Sequence, residues 1–318
     1  MKTFRPGFGD GPEIPKPGQS SQVKNSNGID PLHIPVQAFS TEADLMPKNT
    51  RKQLEYLDDN LTDRDRSILA SLADCRFMLT GQIQRLHVTD AASYPAAMKA
   101  TMREMNKLKA HGLVSTLTRR IGGVRAGSGS FVWHITEAGV RLLNLHHTPN
   151  DQRIRYLEPS LPFLRHTLSI TETYIRFVEI CRTMSKLLLI DFQWEPDSWR
   201  PYLHGNKPQQ LKPDMFASTR CGEYEDRWFI EMDLATESPQ KIIDKCERYR
   251  DYYRHGTEQK EFGVFPLVLW IVPDEKRKAV LYEHIRKTYP DGPRMFVIIL
   301  LDELEALIVA GAAPESIC

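Results

Sequence analysis

Cysteine is scarce in this chain. Its five cysteines, Cys75, Cys181, Cys221, Cys246 and Cys318, include no Cys-x-x-Cys pair. That spacing excludes a zinc ribbon and a disulfide-framed fold, and it suits free thiols in a reducing compartment. Long apolar runs are missing too. No stretch of about 18 apolar residues is present, so no membrane span is expected. The first residues carry no apolar signal core, which points to a cytoplasmic protein. Excess charge is also absent: the formal net charge is +1, so the chain as a whole is not a basic nucleic-acid coat.

What is present fits a globular protein. Hydrophobic residues make up 41% and charged residues 26% of 318 residues, a length that suggests about two domains. The charge is unevenly placed. Residues 59–145 hold 12 Lys and Arg against 7 Asp and Glu, whereas residues 146–318 hold 23 against 27. A basic first module ahead of an acidic second one suits DNA docking beside a metal or partner site. An ordinary local fluctuation in charge is the competing reading.

Residues 1–58 are rich in Pro, Gly, Ser and Asn and read as an extended or disordered arm. From Leu61 the pattern turns helical. Thr62-Asp63 marks a helix start, and Ile68, Leu69 and Leu72 give an apolar face. A short helix from Gly81 to Leu86 follows, with Thr80 as its N-cap. Pro95 opens a third helix. Met98, Met102, Met105 and Leu108 form its expected buried stripe, Lys99, Arg103, Asn106 and Lys107 its polar surface, and Gly112 its end. Strands at 113–121 and 130–135 flank a glycine-rich tip carrying Arg119, Arg120 and Arg125, and Thr136 then begins another helix. This order predicts a winged helix-turn-helix over 59–145. Its third helix would read the major groove of double-stranded DNA, with the arginines on phosphates. A protein-interaction module of the same build is the alternative. Residues 146–160 read as a linker.

Residues 161–312 predict an α/β domain with a mixed central sheet. The expected order is a helix at 164–184, strands at 187–194, 212–218 and 227–234, a helix at 239–254, a strand at 265–272, a helix at 275–288 and a strand at 295–301. Glu231 and Asp233 are two apart, so both lie on one face of a strand. Asp214, on the neighbouring strand, completes an expected cluster of three carboxylates. Such oxygens hold hard cations such as Mg²⁺, which activate water for phosphodiester hydrolysis. A salt-bridged structural pair, using Lys241, Lys245 or Arg248, is the competing reading.

The element order and the run Lys212-Pro213-Asp214 resemble the PD-(D/E)XK nuclease superfamily, a restriction-endonuclease-like fold. The resemblance implies metal-binding acids at Asp214 and Glu231. Asp233 stands where that superfamily carries lysine, so Lys241 or Lys245 is the expected replacement amine. Over residues 60–310 the chain resembles a narrower group, the replication-relaxation family of mobile elements. That likeness rests on Leu164-Arg165-His166-Thr167-Leu168, Lys212-Pro213-Asp214, Phe229-Ile230-Glu231-Met232-Asp233-Leu234-Ala235-Thr236-Glu237-Ser238 and a basic, tyrosine-rich helix. It implies DNA processing in plasmid replication or relaxation.

The expected function is therefore a DNA-binding protein of a mobile element. If catalytic, it would be a Mg²⁺-dependent endonuclease or nickase using Asp214, Glu231, Asp233 and Lys241 or Lys245. Otherwise it would be a non-enzymatic winged-helix regulator. Expected partners are replication or conjugation proteins and a second copy of the chain.

Overall fold

The computed structural model describes residues 49–121, 129–145, 158–289 and 295–311. Helix α1 (Arg51–Asn60) opens the described chain, capped by Thr50 and anchored by buried Leu54. The expected arm therefore gives way to helix by Arg51; residues 1–48 lie outside the described residues. Helix α2 (Asp63–Cys75) begins at Thr62 in a reciprocal cap with Asp65, as the sequence predicts. Then come β1 (Met78–Leu79), α3 (Thr80–His87), α4 (Tyr94–Ala110), β2 (Val114–Thr116), β3 (Val132–Ile135) and α5 (Glu137–Leu143). The three short strands pair in the order β1-β3-β2, all antiparallel.

Two details depart from the sequence reading. Leu79, not Thr80, is the N-cap of α3, because the Thr80 hydroxyl instead accepts a hydrogen bond from the buried Trp133 indole at 2.9 Å. The buried stripe of α4 is Ala97, Thr101, Met105 and Leu108, with Met98 and Met102 only half-buried. Small residues at 97 and 101 let the first turns of α4 lie close to their neighbours, so the stripe rotates away from the methionines.

Helix α6 (Leu161–Thr183) follows, capped by Ser160. It leads to β4 (Leu187–Trp194), the hairpin β5 (Arg200–His204) and β6 (Lys207–Leu211), then β7 (Met215–Cys221) and β8 (Tyr224–Met232). After these come α7 (Pro239–His255), α8 (Thr257–Phe262), β9 (Leu267–Val272), α9 (Glu275–Thr288), β10 (Phe296–Leu300) and α10 (Leu304–Ala310). Five strands form a mixed sheet in the order β10-β9-β8-β7-β4. Strands β4, β7 and β8 are antiparallel, and β8, β9 and β10 run parallel. A register shift between Leu189 and Asp191 bulges the edge strand β4. The hairpin β5–β6, α8 and α10 have no counterpart in the sequence reading.

Alternation along the strands sorts side chains into two layers. Met215, Ala217, Ile230 and Met232 pack with Phe177 and Ile180 of α6 and with Leu304 and Leu307 of α10. Phe216 and Phe229 pack on the other side with Ile242, Tyr249 and Tyr252 of α7 and Leu281 of α9. Helix α6 also serves the N-terminal elements. Its Leu164 and Leu168 share a cluster with Phe77, Leu117 and Val132, and its Ile175 joins the core built by α2 to α5. Glu172 and Glu179 of α6 both bind Arg85 of α3, at 2.6 and 2.5 Å, and the Gln82 amide donates to the Leu168 carbonyl. These two glutamates tie α6 to α3 and are not part of the acidic cluster.

Gly139 marks the tightest backbone approach. A Cβ there would lie 2.3 Å from the Leu113 carbonyl oxygen, backbone that cannot swing aside. Gly139→Ala is therefore expected to destabilise the fold by roughly 1–3 kcal/mol, seen as a lower urea midpoint at unchanged slope. An unchanged midpoint would refute the close contact.

Candidate functional site

The acids meet where β7 and β8 point toward α7. The register Met215↔Ile230, carried one residue further, sets Asp214 across from Glu231 on the α7 side of the sheet. All three predicted acids are buried: Asp214 is 8%, Glu231 2% and Asp233 4% exposed. A buried carboxylate must find donors or a cation, or it loses its charge. Each of the three finds a different answer.

Asp214 accepts a hydrogen bond from the Met232 backbone amide at 2.8 Å, and its Oδ2 lies 3.3 Å from His166 Nε2 on α6. That contact with Asp214 pushes the His166 imidazole above its ordinary value. Glu231 accepts from the Tyr249 hydroxyl at 2.6 Å, and its other oxygen lies 3.2 Å from Lys245 Nζ. Lys245 also reaches Glu237 at 3.3 Å. Burial pushes the Glu231 carboxyl up to about 7, and the nearby charge of Asp214 adds to the effect. Burial alone would lower Lys245, but Glu231, Asp214 and Glu237 together push it up and keep the ammonium charged. Burial, reinforced by Glu231, holds the Tyr249 phenol well above its ordinary range, so it acts as a donor.

Asp233, expected as a third ligand, is engaged by a different partner. It follows the last residue of β8 and faces α9, where Arg277 grips both its oxygens at 2.5 and 3.2 Å. The same guanidinium donates to the Glu237 carbonyl at 2.7 Å. Oδ1 of Asp233 also accepts from the Ala235 amide, across a turn in which Ala235 sits at φ 57°. Asp233 thus fixes the β8–α7 turn.

The predicted lysines separate in the same way. Lys245 reaches Glu231; Lys241, one turn earlier, is exposed on α7. Lys212 lies over the Trp199 ring at 4.2 Å. Among the described residues, no group of three or more His, Cys, Asp or Glu could hold a metal ion. The donor chemistry agrees. Both Glu231 oxygens and both Asp233 oxygens already have partners within the chain, so the residues as arranged do not fit Mg²⁺.

The predicted DNA-contacting residues divide as well. Lys99, Arg103 and Asn106 are exposed and lie four and three apart, one outward face of α4. Arg119 and Arg120 are exposed beyond β2, and Arg120 rests 4.1 Å from the Phe131 ring centroid. Arg125 lies outside the described residues. Lys107 turns inward instead: its amine sits 2.7 Å from the buried Asp65 and 2.9 Å from Glu104. It balances a buried charge in α2, and its amine is engaged by two carboxylates.

His166, Tyr249 and Arg277 complete the site without having been proposed as its members, and Glu237 joins it through Lys245. Tyr249 follows Lys245 by one helical turn, and that spacing was the available signal. Arg277 is distant in sequence from Asp233, and no local pattern announces their pairing.

The model of the replication-relaxation family matches residues 69–268, more than half of the chain. The chain belongs to the replication-relaxation family. No curated protein and no solved structure gives a match. Among the described residues no helix is long and apolar enough to cross a membrane.

A pH dependence follows from the shifts. Glu231 titrates higher in the folded state than its ordinary 4.5, and His166 higher than its ordinary 6.5. Groups raised by folding add stability below their unfolded values and lose it as pH rises through the folded ones. Burial lowers His87 and His134, which act in the opposite sense, so the contribution of Glu231 is read as a difference: the thermal midpoint of the wild type relative to Glu231→Gln should fall as pH rises from about 5 to about 8. Parallel curves for the two proteins would rule this out.

Proposed function

We propose that this replication-relaxation protein binds double-stranded DNA of a plasmid or another mobile element during replication or DNA relaxation. In this reading α2 to β3 form a winged helix-turn-helix within residues 59–145. Elements α6 to β10 form a PD-(D/E)XK nuclease-like frame within residues 161–312. The observation that carries the reading is the outward face of α4, where Lys99, Arg103 and Asn106 are exposed, with Arg119 and Arg120 exposed beyond β2. A helix bearing long cationic and amide side chains on one side can enter the major groove, its cations neutralising phosphate and its amide reading base edges. The strand order β1-β3-β2 with α3 and α4 between β1 and β2 supports the same assignment.

The nuclease-like frame supports binding without metal-dependent cleavage, because its acids are satisfied by Lys245, Tyr249 and Arg277. Its role would then be to dimerise or to engage replication or conjugation proteins.

Mobility shifts with native element DNA test the first part. Lys99→Ala plus Arg103→Ala should weaken binding about tenfold or more and reduce the salt slope by about 0.9 per lost phosphate contact. Lys107→Ala should instead cost about 1 kcal/mol of stability, the low end because its amine is partly exposed. Equal binding by the double variant and the wild type would exclude α4 as the reading helix. Supercoiled plasmid with Mg²⁺ or Mn²⁺ tests the second part: bound, uncut DNA is expected. Metal-dependent nicking that disappears in both Asp214→Ala and Glu231→Ala would overturn it.

A further inference from the structure

The acidic residues of the frame face a cation that belongs to the chain. Lys245 Nζ lies 3.2 Å from Glu231 Oε2 and 3.3 Å from Glu237 Oε2, and it also feels the charge of Asp214. Three further contacts frame the site, one of them to the ammonium. Tyr249, one turn along α7, occupies the other Glu231 oxygen. The Trp270 ring, on the strand beside Glu231, lies 5.7 Å away. Asp233, the remaining predicted ligand, is engaged by Arg277.

We propose that Lys245 is the resident cation of this site, occupying the place where a nuclease-like frame would hold a divalent ion and closing the site to such ions. The inference rests on reading the frame as nuclease-like. A divalent ion could bind Glu231, which is out of water, only by displacing the ammonium and leaving a partly buried Lys245 without that partner. The tethered amine, by contrast, needs no free ion. Removing it would leave Glu231 and Glu237 without their cation, while Asp214 keeps the Met232 amide and His166. Mg²⁺ and Mn²⁺ bind through one or two such carboxylates, with water completing the shell. Lysine at 245 is thus what separates a metal-free site from a metal-binding one.

The test is a Mn²⁺ titration of the full chain, read by the electron paramagnetic resonance of free Mn²⁺ and by thermal melting, with no DNA present. The proteins are the wild type, Lys245→Gln, and Lys245→Gln combined with Glu231→Gln. The wild type should neither bind Mn²⁺ nor change its melting. Lys245→Gln should melt lower in chelator, recover with Mn²⁺ and bind the ion about tenfold or more tightly than the wild type. The double variant should melt nearer the wild type and lose the response to Mn²⁺. If Lys245→Gln folds only with Mn²⁺ present, that is the expected dependence in its strongest form. Tight, Glu231-dependent binding by the wild type would overturn the inference and leave the nuclease-like reading standing. A folded Lys245→Gln that ignores Mn²⁺ would overturn the inference and the nuclease-like reading of these acids together.

Discussion

Carboxylates withdrawn from water set the terms for much of this structure. A charge in the interior must be met by hydrogen bonds or an opposite charge, and removing one partner costs more than the pair contributes. The chain meets that demand several times with different chemistry. Asp65 is met by Lys107 and the Thr62 cap. Glu258 of α8 is met by Arg200, Arg227 and the Tyr252 hydroxyl, which ties the hairpin β5–β6 to α7. Glu231 is met by Lys245 and Tyr249, and Asp233 by Arg277. In each case the partner comes from another element, so charge neutralisation also serves as assembly.

Helix α6 links the proposed DNA-reading elements to the acidic cluster. One end packs against Phe77 and Val132, its middle donates and accepts across α3, and its far end lies on the five-stranded sheet. His166, near its first turns, touches Asp214 directly. The ion pairs of Arg85 with Glu172 and Glu179, with Arg182 donating to the Arg85 and Leu86 carbonyls, leave α3 little freedom against α6.

Much of the framework was legible in the sequence, for physical reasons that can be named. α2, β4 and α9 begin where expected because Thr62-Asp63, an apolar run and Pro273-Asp274 are strong local signals. The start of β7 was placed three residues early: Pro213 has no amide to donate, and the ladder begins only at Met215. The hairpin β5–β6 was invisible: four of the five β6 residues are exposed, so no alternation marks that strand. At the site, period-two spacing correctly put Glu231 and Asp233 on one face, yet it could not tell that α7 receives one and α9 the other. That division depends on Arg277, which only the tertiary fold brings near.

The bulge in β4 has its own consequence. An open sheet margin is a template on which other chains can add strands, and the exposed Leu188 and Ile190 would make this margin adhesive. The slip between Leu189 and Asp191 puts the outer amides and carbonyls out of phase, so an incoming strand can match one half of β4 but not both. The slip thereby keeps a sticky border from becoming a seed for aggregation and makes strand addition at this edge a poor route to self-association.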